Sequence, residues 1–163
     1  AEFPASPRIL VVRDPRDNIR SVLDRLGLPG DRPGLTPAER EANGPGWDLY
    51  LRGDWLGWET DHYIEVMAHR WNLGFQLLQA NGEDTILLRY EDFLKDKQGT
   101  LAAVAAAAGL DVRRTLGWEA DRQFQPKGKR QERWEDLFGT ENLARIERTC
   151  GDGMAALGYE PRL

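Results

Sequence analysis

A chain of 163 residues is long enough for one domain built around a single core. Its composition, 40% hydrophobic and 30% charged, is that of a globular protein and excludes a disordered chain. The formal net charge of −5 argues against general nucleic-acid binding, which needs a basic face, so we expect no nucleic-acid partner. A nucleotide site is compatible with that charge because it needs only a few local cations.

The cysteine and histidine content bears on compartment and metal chemistry. The single cysteine, Cys150, cannot form an internal disulfide, which favours a reducing compartment and predicts a cytoplasmic protein. Its place in the apolar register of the last predicted helix favours a packed core thiol over a nucleophile. His62 and His69 have no partners at zinc spacing, so we expect no metal site. We expect no membrane partner either, because no stretch approaches the roughly 20 apolar residues of a membrane span and residues 1–4 do not start a signal peptide.

A strand, a tight turn and a helix open the chain. Residues 9–12 are four consecutive apolar residues, which is typical of a buried strand that ends at Arg13. Pro15 suits the first position of a helix and Gly27 suits its C-terminal cap. The helix between them has one apolar stripe, formed by Ile19, Val22, Leu23 and Leu26. Because ligands bind at the carboxyl ends of strands in open α/β sheets, Arg13 and Ser21 could both face an anion there.

Residues 27–57 are rich in proline and glycine, which predicts a long loop. Within it Thr36 and Glu39 predict a capping box at the start of one short helix. Aromatic residues then alternate with charged ones, and this pattern fits either a substrate lid or a satellite cluster of the core. We favour substrate contact for this aromatic segment, whose members are Trp47, Tyr50, Trp55 and Trp58.

A second strand, turn and helix follow the clearest helix of the chain. Apolar periodicity predicts a helix over residues 63–79, and residues 85–90 read as a second buried strand. Asp96 caps the next predicted helix, which Gly109 ends, and Thr140 caps the last one. Two strand–turn–helix units in one chain favour an α/β fold with a parallel sheet flanked by helices.

Several of these segments carry a resemblance to one family. The run Arg13-Asp14-Pro15-Arg16-Asp17, with Ser21 four residues later, resembles the 3′-phosphate-binding segment of sulfotransferases that use 3′-phosphoadenosine 5′-phosphosulfate (PAPS). Residues 88–93, with the positions that follow them up to residue 110, are similar to the family's "RYEDL…D…TL…GL" run. Residues 150–159 resemble its "CG…M..LGY" tail. The resemblance implies that Arg13 and Ser21 hold the 3′-phosphate and that Tyr90 lies near the adenine.

A basic segment resembles the family's C-terminal cofactor segment. It holds four cations within residues 127–133 beside a glycine, and cations with free backbone N–H groups can cradle an anion. Trp134 and Phe138 match the aromatic pair that follows in the family, although Glu132 stands where a glycine is common. The resemblance implies nucleotide contacts from this segment, with Gly128 forming the turn beside Lys127. It leaves open which cation meets the phosphate: the candidates are Lys127, Lys129 and Arg130.

The resemblance implies a P-loop-kinase-like sulfotransferase fold over residues 1–163, as a single partial domain that lacks the N-terminal βα portion. The upstream loop for the 5′-phosphosulfate and the usual catalytic base have no counterpart, so no catalytic residue is assigned. The predicted function is transfer of a sulfuryl group from PAPS, with 3′-phosphoadenosine 5′-phosphate (PAP) as product, to a hydroxyl or amine of a small-molecule or carbohydrate acceptor. The alternative is a non-catalytic nucleotide-binding or interaction module, for which self-association through exposed apolar surface is the expected sign.

Overall fold

The protein is described by a computed structural model that covers residues 7–112, 115, 117, 118, 121, 122 and 133–162. Its contacts divide the chain into two compact units. The sheet unit consists of residues 1–13 and 74–126, and the helical unit consists of residues 14–73 and 127–163. Among the described helices, none has the length and apolar content needed to cross a membrane.

Two strands and seven α-helices make up the described part of the chain. In chain order they are β1 (Arg8–Val12), α1 (Pro15–Leu26), α2 (Pro37–Glu41), α3 (Pro45–Leu51), α4 (Tyr63–Asn81), β2 (Thr85–Arg89), α5 (Tyr90–Lys95), α6 (Lys97–Ala107) and α7 (Trp134–Ala156). Short 3₁₀ turns lie at Asp54–Leu56 and Gly82–Asp84. The mixture of helices with a parallel strand pair confirms α/β character, and helices predominate.

The sheet unit is built on β1 and β2, which pair in parallel as the sequence predicts. Val12 lies opposite Arg89, so both strands end at the same edge of the sheet. The second strand is one residue shorter than predicted, because Tyr90 already opens α5. In this unit the described buried apolar residues are Val12 and Leu88, while Ile9 and Val11 keep more than half of their surface exposed.

The first helix begins and ends where the sequence predicts. The Asp14 side chain accepts a hydrogen bond from the backbone N–H of Arg16, and Pro15 occupies the first turn, where its missing N–H costs nothing. Gly27 closes the helix in the left-handed conformation, at φ 65°, and donates its N–H to the carbonyl of Leu23. These local signals suffice to predict both ends of the helix, because each one satisfies or spares an unpaired backbone group of a helix end without distant residues.

The predicted loop over residues 27–57 is wrong in one respect, because it contains α3 as well as the short α2. The capping box of α2 is confirmed, with Thr36 and Glu39 exchanging hydrogen bonds. In α3, Pro45 lies in the first turn after Gly44, so a proline that suggests a loop instead starts a helix. Leu51 at the end of α3 is fully buried. This tertiary burial outweighs the low helix propensity of Gly46.

The core of the helical unit lies between α1, α7 and the first half of α4. Its fully buried side chains include Ile19 and Leu23 of α1 and Ile146 of α7. Asn72 of α4 donates to the backbone carbonyl of Thr149 of α7 at 2.6 Å and so joins the two helices.

Cys150 lies within this core, as the sequence predicts. Its thiol is fully buried and donates to the backbone carbonyl of Ala68 at an S–O distance of 3.6 Å. Burial, together with the negative charge of Asp14, raises the pKa of the thiol to about 12. A thiol with that pKa is not a nucleophile at neutral pH.

The last helix starts earlier than predicted and contains a break. It begins at Trp134, six residues before Thr140, but Gly139 has φ 64° and ψ 172°, which no helix contains. The sequence prediction of a helix from Thr140 therefore matches the second segment, and the short first segment was missed. Five residues are too few to show the apolar periodicity on which the prediction depended.

Candidate functional site

Two of the predicted nucleotide-binding residues lie together in the sheet unit. Arg13 directly follows β1 and Tyr90 directly follows β2, so the parallel register places both at the carboxyl edge of the sheet. The guanidinium carbon of Arg13 lies 4.9 Å from the centroid of the Tyr90 ring, which is a cation–π contact. Phe93 of α5 packs beside the same ring, with centroids 6.3 Å apart. A cation next to a supported aromatic ring is suited to a ligand with an anionic group and a planar base.

The other predicted residues fall in the helical unit or outside the described residues. Ser21 lies on α1 with an exposed side chain, in the unit that does not contain Arg13 and Tyr90. The remaining candidates lie outside the described residues, and their assignment stays a prediction: they are Lys127, Gly128, Lys129 and Arg130.

A buried ion network fixes the start of α1 in the helical unit. Arg16 keeps only 2% of its surface exposed, and its guanidinium pairs with Asp14 at 2.7 Å and with Glu147 of α7 at 2.6 Å. The same guanidinium donates to the backbone carbonyl of Glu160 at 2.9 Å and lies 4.0 Å from the centroid of the Trp134 ring. Burial lowers the pKa of Arg16, but the hydrogen bonds and charges of Asp14 and Glu147 outweigh it, so the net direction is upward. The second arginine of the Arg13–Asp17 run therefore has a structural role.

Beside this network the helical unit has a pocket of about 190 Å³. Its lining residues are Asp17, Arg20, Arg133, Trp134, Glu135 and Arg162. The sequence analysis gives no particular role to Arg20, Arg133 or Arg162. No local pattern could have found the set, because its members come from three separate parts of the chain.

A larger pocket, of about 450 Å³, lies in the sheet unit at the opposite end of the strands from Arg13 and Tyr90. It is formed around the starts of β1 and β2, near Arg8 and Thr85, and the end of α6. None of the predicted site residues that the structure describes, which are Arg13, Ser21 and Tyr90, lines it. Ligands of open α/β sheets bind at the carboxyl ends of the strands, so we place the candidate site at the Arg13–Tyr90 edge.

The aromatic segment of the helical unit is held by one arginine of α4. The guanidinium carbon of Arg70 lies 4.7 Å from the ring centroid of Tyr50, 5.1 Å from that of Trp55 and 5.7 Å from that of Trp58. Its Nε also donates to the Tyr50 carbonyl at 2.8 Å, and burial lowers the pKa of Arg70. These contacts describe a packed satellite cluster. The expected contact of this segment with a substrate is untested, and Trp55 keeps 53% of its surface exposed.

The described residues contain no group of His, Cys, Asp and Glu side chains arranged to hold a metal ion. Neither histidine is placed as an evident base. His69 lies 3.8 Å from the carboxylate of Glu65, and His62 stacks on Tyr63 with ring centroids 5.6 Å apart. A catalytic residue therefore stays unassigned.

Comparisons with models of known families, with curated proteins and with solved structures found no match. The features that bear on function are therefore the order of the segments that resemble those of sulfotransferases and the geometry at the strand ends.

Proposed function

We propose that this chain carries the 3′-phosphate- and adenine-binding part of a PAPS-dependent sulfotransferase. The observation that carries the proposal is the contact between Arg13 and Tyr90 at the shared carboxyl edge of two parallel strands. The sequence assigns both residues to the nucleotide although they are 77 positions apart, and the Arg13 guanidinium carbon lies 4.9 Å from the centroid of the Tyr90 ring. A P-loop-kinase-like arrangement of the sheet is part of the same proposal.

The residues have distinct roles in this proposal. The Arg13 guanidinium presents paired N–H donors to the 3′-phosphate, a geometry that suits phosphate oxygens better than a lysine would. The Tyr90 ring supports the adenine by stacking and is itself supported by Phe93. Ser21 as a hydroxyl donor, and the cations among residues 127–130, keep the assignments that the resemblance implies. The contact between Arg13 and Tyr90 is the part of the proposal that the described residues support.

Orientation is a substantial part of sulfuryl transfer. The acceptor hydroxyl or amine attacks the sulfur while the bond from sulfur to the 5′-phosphate oxygen breaks, so that PAP leaves and the acceptor loses a proton. Such in-line displacements depend on positioning and on charge stabilisation at the leaving phosphate. Arg13 and Tyr90 hold the 3′-phosphate and the adenine, which do not take part in the bond changes at sulfur. The acceptor belongs to the small-molecule or carbohydrate class.

Calorimetric titration with PAP tests the proposal, with adenosine 5′-phosphate as the comparison nucleotide. We expect Arg13→Ala to weaken PAP binding about tenfold or more and to remove the preference for PAP over adenosine 5′-phosphate, because a charged hydrogen bond is lost. Tyr90→Leu should weaken both nucleotides alike, since both contain adenine. Ser21→Ala should act like Arg13→Ala in direction.

Arg8→Ala is the matched control, because it removes an arginine from the opposite end of the same strand. It should leave PAP affinity unchanged. The proposal fails if adenosine 5′-phosphate binds as tightly as PAP to the unaltered protein, if neither binds, or if Arg8→Ala and Arg13→Ala have equal effects.

A second candidate function is a nucleotide-binding or interaction module that does not catalyse a reaction. The observation that favours it is the exposed apolar surface of the sheet unit, where Ile9 is 52% exposed, Val11 56% and Leu87 40%. Because the described sheet has two strands, each also has an edge without a strand partner. Sedimentation at increasing protein concentration should then show self-association that Val11→Lys reduces. A protein that stays monomeric at high concentration would speak against this module.

A further inference from the structure

The pocket beside the start of α1 has a charge arrangement that the nucleotide proposal does not use. It lies entirely within the helical unit, and three guanidinium groups and two carboxylates line it. Its formal charge is therefore +1. At about 190 Å³ it is smaller than the 300–1,000 Å³ typical of sites for whole drug-sized ligands, so it suits a single small group.

One side of the pocket is held rigidly. Asp17 accepts a hydrogen bond from the indole N–H of Trp134 at 2.7 Å and pairs with Arg20 at 2.6 Å. The Trp134 ring in turn packs against the buried guanidinium of Arg16. The Asp17 charge is thus engaged by two donors, and it does not repel an incoming anion as a free carboxylate would.

Two lining arginines have weaker ionic contacts among the described residues. Arg133 is 74% exposed and meets Glu135 at 3.4 Å, a surface pair of the kind that contributes little to stability. The Arg162 guanidinium lies 4.8 Å from the centroid of the Trp134 ring. Among the described residues, no carboxylate oxygen lies within 4.0 Å of that guanidinium, whereas the Arg162 backbone N–H is fixed by Glu147 at 3.1 Å.

We infer that this pocket binds a tetrahedral oxyanion, a sulfate or phosphate group, between Arg133 and Arg162. Guanidinium forks match the paired oxygens of such groups, and a charge-assisted contact replaces the weak Arg133–Glu135 pair. Arg20, which is paired with Asp17, supplies further positive charge to the lining. The inference goes beyond the nucleotide proposal and uses none of Arg13, Ser21 or Tyr90.

Calorimetric titration with sodium sulfate and with sodium phosphate, against sodium chloride at equal ionic strength, tests this site. We expect Arg133→Gln and Arg162→Gln each to weaken binding about tenfold, the cost of one charge-assisted hydrogen bond. Both side chains are exposed, so neither substitution should unfold the protein. Arg52→Gln is the control, because Arg52 belongs to the same unit and pairs with Asp48 and Asp54 away from the pocket.

Two further titrations identify the source of the anion and separate this site from the nucleotide site. Phenyl sulfate that binds more tightly than inorganic sulfate would identify an ester group of a larger molecule, and equal affinities would identify the free ion. Sulfate affinity should be unchanged in Arg13→Ala and in the presence of saturating PAP.

The inference is overturned if sulfate binds no better than chloride, if Arg52→Gln weakens binding as much as Arg162→Gln, or if PAP displaces the sulfate. The nucleotide site is tested separately, by the PAP affinity of Arg13→Ala. A failure at one site can therefore be told from a failure at the other.

Discussion

At the scale of single residues, the two arginines of the Arg13–Asp17 run have different environments. Arg13 and Arg16 stand three positions apart in one short run, yet Arg13 contacts an aromatic ring at the strand edge while Arg16 is buried among carboxylates in the helical unit. Arginine suits the buried position because its planar fork can serve Asp14 and Glu147 at once.

We expect Arg16→Met to lower the free energy of unfolding by about 3–5 kcal/mol, because Asp14 and Glu147 would be left buried without their partner. Chemical denaturation followed by circular dichroism measures this. Arg32→Met is the control: Arg32 also pairs with a carboxylate, that of Glu39 at 2.7 Å, but its side chain is 54% exposed. That change should cost less than about 1 kcal/mol. Equal losses in the two variants would contradict the importance of burial.

At the scale of elements, the break at Gly139 is the feature that sets the direction of the start of α7. A backbone at φ 64° and ψ 172° is almost exclusive to glycine, and apart from its own chain neighbours no described residue comes within 4 Å of the point where a Cβ would stand. The constraint at this position is therefore one of backbone conformation and does not arise from a steric clash.

Gly139→Ala should reduce the unfolding free energy by about 1–3 kcal/mol through backbone strain alone. For Gly151→Ala in the same helix we expect the unfolding free energy to rise. Gly151 has a helical backbone and has as much free space at its Cβ position as Gly139, so alanine should stabilise the protein by about 0.5–1 kcal/mol. Thermal unfolding of both variants tests the pair. A neutral Gly139→Ala would mean that the first segment of α7 reorients at no cost.

Local signals in the sequence were enough for some elements and not for others. Pro15, Gly27 and the Thr36–Glu39 box act within one turn of helix, and each was placed correctly. The helix α3 was missed because its stability comes from burial of Leu51, which only the tertiary structure determines. For the candidate site, Arg13 was proposed because it follows a recognisable strand, and Tyr90 because residues 88–93 resemble a sulfotransferase segment; the parallel register brings the two residues to one edge of the sheet. Arg162 could not be found, because its partners lie far away in sequence.

At the scale of the whole molecule, stability depends on pH in two separate ranges, because titrating groups of the helical unit have shifted pKa values. Burial, followed by the charge of Arg145, lowers the pKa of His62 below 6.5, and its Nδ1 is buried without a partner among the described residues. Burial raises the pKa of Glu65, but hydrogen bonds from Thr60 and Arg145 outweigh it and hold the pKa below 4.5.

Stability should therefore fall as the pH drops from about 7 through 6.5, because the unfolded chain then binds a proton that folded His62 resists. The loss levels off below the folded pKa of His62. A second loss follows below about 4.5, where Glu65 becomes protonated in the unfolded chain first, as do Glu39 and Glu135, whose pKa values hydrogen bonds also lower in the folded chain. Denaturation curves measured between pH 4 and 8 test this. In His62→Phe, which keeps a ring beside Tyr63, the upper window should disappear, and its persistence would assign that window to another group.

The single thiol, that of Cys150, allows the opening of the helical unit to be timed by alkylation. Because the thiol is fully buried and is the chain's single cysteine, a mass increase of one alkyl group marks a molecule in which α7 has separated from α4. At low reagent concentration the alkylation rate follows the equilibrium between closed and open molecules, and at high concentration it follows the opening rate itself. Dividing the opening rate by the opening equilibrium constant gives the reclosing rate, and no engineered label is needed.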